Sequence, residues 1–227
     1  MGEHMTFQTG EATTAAYLAL PESGRGPGVL VLHAWWGLTA TFTEVCDRLA
    51  RAGFVAFAPD LNAGQAAATV DDAMALMKSR NWDVTQAAAV GGLEYLLAHP
   101  ARTGQQIGMV GFSMGAAWTV ALASKHPEVS AAVLFYGTGS ADFAAARAAY
   151  LAHFAENDPW EEDAEVQAML AAMREAGREV TDHAYPGASH WFFEPDRPEY
   201  DRAAAELAWE RSLAFLQARL GDALAAS

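Results

Sequence analysis

The sequence predicts an α/β fold, a mostly parallel central sheet covered by helices on both faces. Three observations lead there. Short apolar runs of strand length alternate with segments whose apolar residues recur at helical spacing. One run, Val29 to His33 (VLVLH), is almost continuously apolar, as strands buried on both faces of a parallel sheet are. Finally, Gly111-Phe112-Ser113-Met114-Gly115 places a serine directly between a strand pattern and a helix pattern. Small residues on both sides suit a tight turn that brings backbones together.

The elements follow in order. Residues 14–20 (TAAYLAL) predict an early strand ended by Pro21, and Ser23 to Gly28 a Gly/Pro turn before the Val29–His33 strand. Phe42, Val45, Cys46 and Leu49 share one face of a helix that Gly53 ends. Cys46 lies in that stripe and reads as core. Phe54 to Pro59 predicts the next strand. Residues 61–81 predict a loop and a helix with Val70, Met74 and Met77 on one face. Asp83 with Gln86 has the spacing of a capping box for a helix running to His99.

Gln106 to Val110 predicts the strand before Ser113, and Ala116 to Lys125 the helix after it. Strands are expected at Ala131–Tyr136, Tyr150–Phe154 and Arg178–Tyr185. Val166, Leu170 and Met173 mark a helix between the last two. A final helix spans about 199–219, with Trp209, Leu213, Leu216 and Leu220 on one face.

Bulk properties narrow the class. A chain of 227 residues is expected to form a single domain, 1–227, with its core in about 10–219. Apolar residues at 52% against 19% charged indicate a globular chain. The net charge of −14 disfavours nucleic acid and anionic membrane as partners. The opening MGEHMTFQTGE has no basic stretch leading into an apolar run, so no signal peptide is expected, and no apolar run is long enough to span a membrane. One cysteine excludes an internal disulfide, which suits a cytoplasmic location. Oligomeric state has no signal in the sequence.

Ser113 carries the chemistry. A serine hydroxyl needs a base within hydrogen-bond reach, and a third group to orient that base. A serine lifted on a strand–turn–helix indicates a hydrolase of the α/β-hydrolase type, in which the order is Ser, then Asp or Glu, then His. Of the histidines after Ser113, His126 lies at the far end of the serine's helix, and His153 and His183 lie inside strands. His190 alone follows a strand end, in the loop Pro186-Gly187-Ala188-Ser189-His190, and is the expected base. Asp158 closes His153-Phe154-Ala155-Glu156-Asn157-Asp158 and is the expected acid. Glu156 is its nearest rival and Asp163 the next, while Asp142 comes too early.

The oxygen of a tetrahedral intermediate needs donors. The Met114 N–H, at the start of a helix, is one. The Trp35 N–H, in the loop His33-Ala34-Trp35-Trp36-Gly37, is chosen as the other. Trp36, Trp160, Trp191 and Phe192 fall near the predicted catalytic loops and are candidates to line an apolar substrate pocket, against the alternative of plain core packing. The histidines lack metal-ligand spacing, and neither a metal nor an organic cofactor is expected.

The segments VLVLHAWWGL, GFSMG, HFAENDPW and YPGASHWFFEPDRPEYD, with the final helix, resemble the dienelactone hydrolase family over roughly residues 10–219. The resemblance implies a compact α/β-hydrolase domain without a large cap. The best-known members open an unsaturated lactone with a Cys–His–Asp triad. On the matching positions the nucleophile is Ser113, the base His190 and the acid Asp158. Those members carry glutamate at the position of Ala34, tied to activation of the thiol. They also hold the substrate carboxylate with arginines, one of them four residues past the histidine. Here that position is Glu194, which is expected to repel an anionic substrate, and Arg197, Arg80 and Lys78 are the remaining candidates to hold one.

These readings converge on a serine hydrolase that cleaves an ester or lactone bond of a small molecule through an acyl-enzyme. Two rivals remain: thioester hydrolysis or acyl transfer on the same residues, and a non-catalytic binding module on the same scaffold.

Overall fold

The computed structural model describes residues 2–10 and 12–224. The chain divides into two compact units, one reaching Ile107 and the other comprising Gly108–Gly221.

The first unit opens with β1 (Glu3–Thr9), antiparallel to β2 (Ala12–Ala19). β1 was not expected from the sequence. β3 (Gly26–Leu32) is buried along its whole length, and so is β4 (Val55–Pro59), with which it runs parallel. β3 begins inside the expected Gly/Pro turn, with the Gly26 amide held by the Ala101 carbonyl. Between them, α1 (Ala40–Arg51) buries Phe42, Val45, Cys46 and Leu49, as their spacing predicts.

The next two helices depart from expectation. α2 (Val70–Ser79) forms, but its only buried residue is Ala73, and Met74 faces solvent. Its start is fixed instead by a capping box between Thr69 and Asp72. α3 (Trp82–Ala98) begins before the expected cap at Asp83: Asn81 is the N-cap, and its side chain accepts the Asp83 amide. The unit closes on the first part of β5 (Arg102–Phe112).

In the second unit, β5 ends at Phe112 and α4 (Met114–Ala123) starts two residues later. β6 (Val129–Phe135), β7 (Ala149–Asn157) and β8 (Val180–Ser189) pair in parallel. α5 (Asp163–Glu175) buries Val166, Leu170 and Met173, and α6 (Arg202–Leu224) buries Trp209, Leu216 and Leu220. β7 and β8 both outrun their expected ends. A register shift between Ala155 and Asn157 lets Asn157 pair with Ser189, so Pro186 to Ser189 extend the strand rather than a loop.

The eight strands form one mostly parallel sheet in the order β1-β2-β4-β3-β5-β6-β7-β8, with β1, β2 and β4 antiparallel at one edge. No helix among the described residues is long and apolar enough to cross a membrane.

Candidate active site

Ser113 occupies the break between β5 and α4. Its backbone is held at φ +50°, ψ −114°, outside the regions a non-glycine residue normally adopts. The Ser113 amide donates to the Phe135 carbonyl of β6 (2.9 Å), and its carbonyl accepts the Ala116 amide (2.8 Å). Two glycines make room for this turn. A Cβ on Gly111 would sit 2.3 Å from the Gly115 carbonyl oxygen, and one on Gly137 2.5 Å from the Ser113 carbonyl oxygen. No side chain fits at either distance.

Asp158 and His190 are the residues just after the paired Asn157 and Ser189, so adjacent parallel strands deliver them side by side. Ser189 Oγ fastens the same end by donating to the Asn157 carbonyl (2.9 Å). His190 Nδ1 lies 2.7 Å from Asp158 Oδ2 and 2.9 Å from Oδ1, and His190 Nε2 lies 3.0 Å from Ser113 Oγ. A carboxylate only accepts, so the proton of the neutral ring belongs on Nδ1 and leaves Nε2 free to accept from the serine hydroxyl. The imidazole and the carboxylate are both buried. Asp158 Oδ1 also accepts the Trp160 and Glu161 amides (2.9 and 3.1 Å), which fixes its rotamer.

Of the rival acids, Glu156 is engaged elsewhere. Glu156 accepts the Gly187 amide (2.8 Å) and braces the strand that leads to His190, and Asp163 opens α5. The excluded histidines lie where their strands place them. His153 is buried and bonded through Nδ1 to Tyr185 and through Nε2 to Ser212. Burial, then the charges of His183 and Arg211, hold its pKa well below the usual histidine value.

Met114 is the first residue of α4, where backbone N–H groups have no partner within the helix. Trp35 and Trp36 lie in the first unit; the Trp35 carbonyl accepts Asn62 Nδ2 (2.9 Å), and Trp36 is buried. Trp160 is 44% exposed, over the buried Trp191 with ring centroids 5.5 Å apart. Phe192 is fully buried against Tyr136 and Tyr185, a packing position. Among the described residues, no group of three or more His, Cys, Asp and Glu side chains is placed to hold a metal ion.

One neighbour, Tyr136, was not foreseen, and a second, Glu194, differs from its expected role. Tyr136, at the end of β6, has its ring centroid 5.0 Å from that of His190. Its hydroxyl donates to Glu194 Oε1 (2.9 Å). Glu194 is therefore not a charge presented to substrate. It is 1% exposed, and burial, helped by the charges of Asp196 and Glu199 and opposed by the Tyr136 bond and the Arg197 charge, pushes its pKa up to about 8. Its raised pKa favours the neutral carboxyl, and its side chain is turned to Tyr136 and out of solvent. The only sequence signal for Tyr136 is its place at a strand end before a glycine.

Residues 14–220 match the family model described as the dienelactone hydrolase family. Protein usf of Aquifex pyrophilus is 32% identical over 228 residues, covering 96% of this chain and 98% of that one. A protein of Aquifex aeolicus (strain VF5), assigned by name as a carboxymethylenebutenolidase, is 32% identical over 231 residues, covering 97% and 100%. A crystal structure from Klebsiella pneumoniae, assigned as a dienelactone hydrolase, superposes with a TM-score of 0.84 at 23% identity, over 95% of this chain and 98% of that one. With an α/β-hydrolase sheet and a family match over nearly its whole length, the chain belongs to the dienelactone hydrolase family and is a carboxylic-ester hydrolase.

Proposed function

We propose that the protein cleaves a small-molecule ester or lactone through an acyl-enzyme formed on Ser113. One observation carries this reading: the unbroken chain from Ser113 Oγ through His190 to Asp158, with contacts of 3.0 and 2.7 Å. Ser113 Oγ attacks the carbonyl carbon as its proton passes to His190 Nε2. The carbonyl oxygen takes up the negative charge, facing the Met114 amide at the positive end of α4. The bond to the alcohol oxygen then breaks, and that oxygen receives the proton from Nε2. A water next gives its proton to Nε2 and attacks the acyl carbon. The Ser113 oxygen leaves and regains a proton, and the carboxylic acid departs. Asp158 keeps its charge throughout and stabilises the imidazolium in both halves.

The experiment is Ser113→Ala on p-nitrophenyl acetate, with fluorophosphonate labelling of the parent read by peptide mass spectrometry. Turnover should fall by roughly 10⁶-fold, toward a residue left by binding and oxyanion donors. The label should sit on Ser113. Parental turnover in the alanine variant, or a folded parent that takes no label, overturns the reading.

A further inference from the structure

Tyr136 belongs to both halves of the site. Through its backbone it belongs to the nucleophile turn, since it follows the Phe135 carbonyl that holds the Ser113 amide. It precedes Gly137, whose Cα lies too close to the Ser113 carbonyl to carry a side chain. Its backbone is held at φ +34°, a value bulky residues adopt only where the surroundings enforce it, and its amide is tied to the His153 carbonyl (2.7 Å). Through its side chain it belongs to the histidine turn. The ring is fully buried, 5.0 Å from the His190 ring and 5.5 Å from Phe192, centroid to centroid. The hydroxyl ends on Glu194, four residues beyond His190.

Asp158 alone does not fix the imidazole. Its two oxygens hold Nδ1, but the ring can still swing about that axis and carry Nε2 away from Ser113 Oγ. Trp191 meets the ring edge-on at 5.0 Å (85°), and Tyr136 meets it at 59°. Trp191 lies next to His190 in the chain. Tyr136 is anchored 54 positions away, on the strand that also holds Ser113.

We propose that Tyr136 is a positioning residue for His190, its ring limiting the swing of the imidazole and its bond to Glu194 locking that ring in place. This rests on the reading of Ser113, His190 and Asp158 given above. Glu194 is the anchor: it is buried, and its second oxygen, Oε2, has no hydrogen-bond partner among the described residues. Tyr136 therefore supplies the one hydrogen bond found for that carboxyl group, and loss of the phenol leaves both groups free to repack.

The test uses Tyr136→Phe, Glu194→Gln, their double variant and Glu194→Leu in the full chain. Readouts are kcat and KM on p-nitrophenyl acetate, and the downfield proton resonance of His190 Nδ1. Displacement of about 1 Å in such a site costs on the order of 10²-fold. Tyr136→Phe should lower kcat at least tenfold at near-constant KM, and shift or broaden the Nδ1 resonance. Glu194→Gln keeps a carbonyl acceptor and should stay within about threefold of the parent, and the double variant should be no worse than Tyr136→Phe. Glu194→Leu removes the acceptor from the other side and should repeat the loss, so the outcome stands even if Tyr136→Phe does not fold. Parental kcat with an unmoved resonance in either Tyr136→Phe or Glu194→Leu overturns the proposal. If the parent is inactive on every ester, the serine mechanism fails, and the resonance alone still decides whether Tyr136 places the imidazole.

Discussion

The amide of Ser113 donates to the carbonyl of Phe135 at 2.9 Å, so the turn that presents the serine hangs on the neighbouring strand. That bond forces the two backbones together, and Gly137 lies at the point of closest approach. A Cβ there would meet the Ser113 carbonyl oxygen at 2.5 Å and Ala116 Cβ at 2.8 Å. Gly137→Ala should push the turn off the strand, at a cost of about 1–3 kcal/mol of stability. It should also lower kcat more than tenfold. Urea melts and ester turnover check both, and an alanine variant equal to the parent in both would mean the contact is slack.

Asp158→Asn should separate orientation from shape. Asp158 Oδ1 accepts two backbone amides, from Trp160 and Glu161. In the variant those donors keep the amide oxygen, which turns the NH₂ group toward His190 Nδ1. The ring must then accept at Nδ1 and carry its proton on Nε2, where it cannot take one from Ser113. We expect kcat to fall by about 10⁴-fold, the figure for the corresponding change in a serine protease, with little change in KM or thermal stability. A loss below tenfold would mean that the ring keeps its tautomer without the carboxylate.

The parts of this molecule that were legible in sequence are those with local causes. The apolar run of β3, the stripe of α1 and the G-x-S-x-G turn each write their geometry into consecutive residues. The order Ser113, Asp158, His190 was readable because each follows a strand end. What was missed depends on partners far along the chain. Thr6 and Phe7 of β1 become strand only by pairing with Ala15 and Thr14. The stripe at Val70, Met74 and Met77 has helical spacing yet buries none of the three, since spacing says nothing of what lies opposite. Pro186 and Gly187 signal a loop, but the shifted register of β7 against β8 carries the strand to Ser189. The Tyr136–Glu194 bond joins residues 58 positions apart and has no local pattern.

Cys46 offers a check on the packing of α1. Its thiol is fully buried, and desolvation, followed by the charge of Asp47, raises its pKa far above the ordinary thiol value. Only the thiolate reacts with a disulfide reagent. Ellman's reagent should therefore find no thiol in the native protein and one in 6 M guanidinium, as the single cysteine requires. Rapid native reaction would show that α1 opens readily.

Glu194 should also leave its mark on stability. Folding raises its pKa from the ordinary 4.5 to about 8, so between those values the folded state holds a proton that the unfolded state has released. Linkage then gives a definite sign. The stabilisation that goes with the neutral carboxyl is complete below pH 4.5, shrinks as pH rises, and is lost once pH passes 8. Across that window the decline approaches about 1.4 kcal/mol per pH unit. Other groups titrate in the same range, so the comparison is with Glu194→Gln, which removes this titration and leaves theirs. Urea unfolding at intervals from pH 5 to 9 should show the parent losing ground against the variant up to pH 8 and running parallel above it. Curves parallel across the whole range would mean that the Glu194 carboxyl is already ionised in the fold, with its charge compensated by a neighbour such as Arg197.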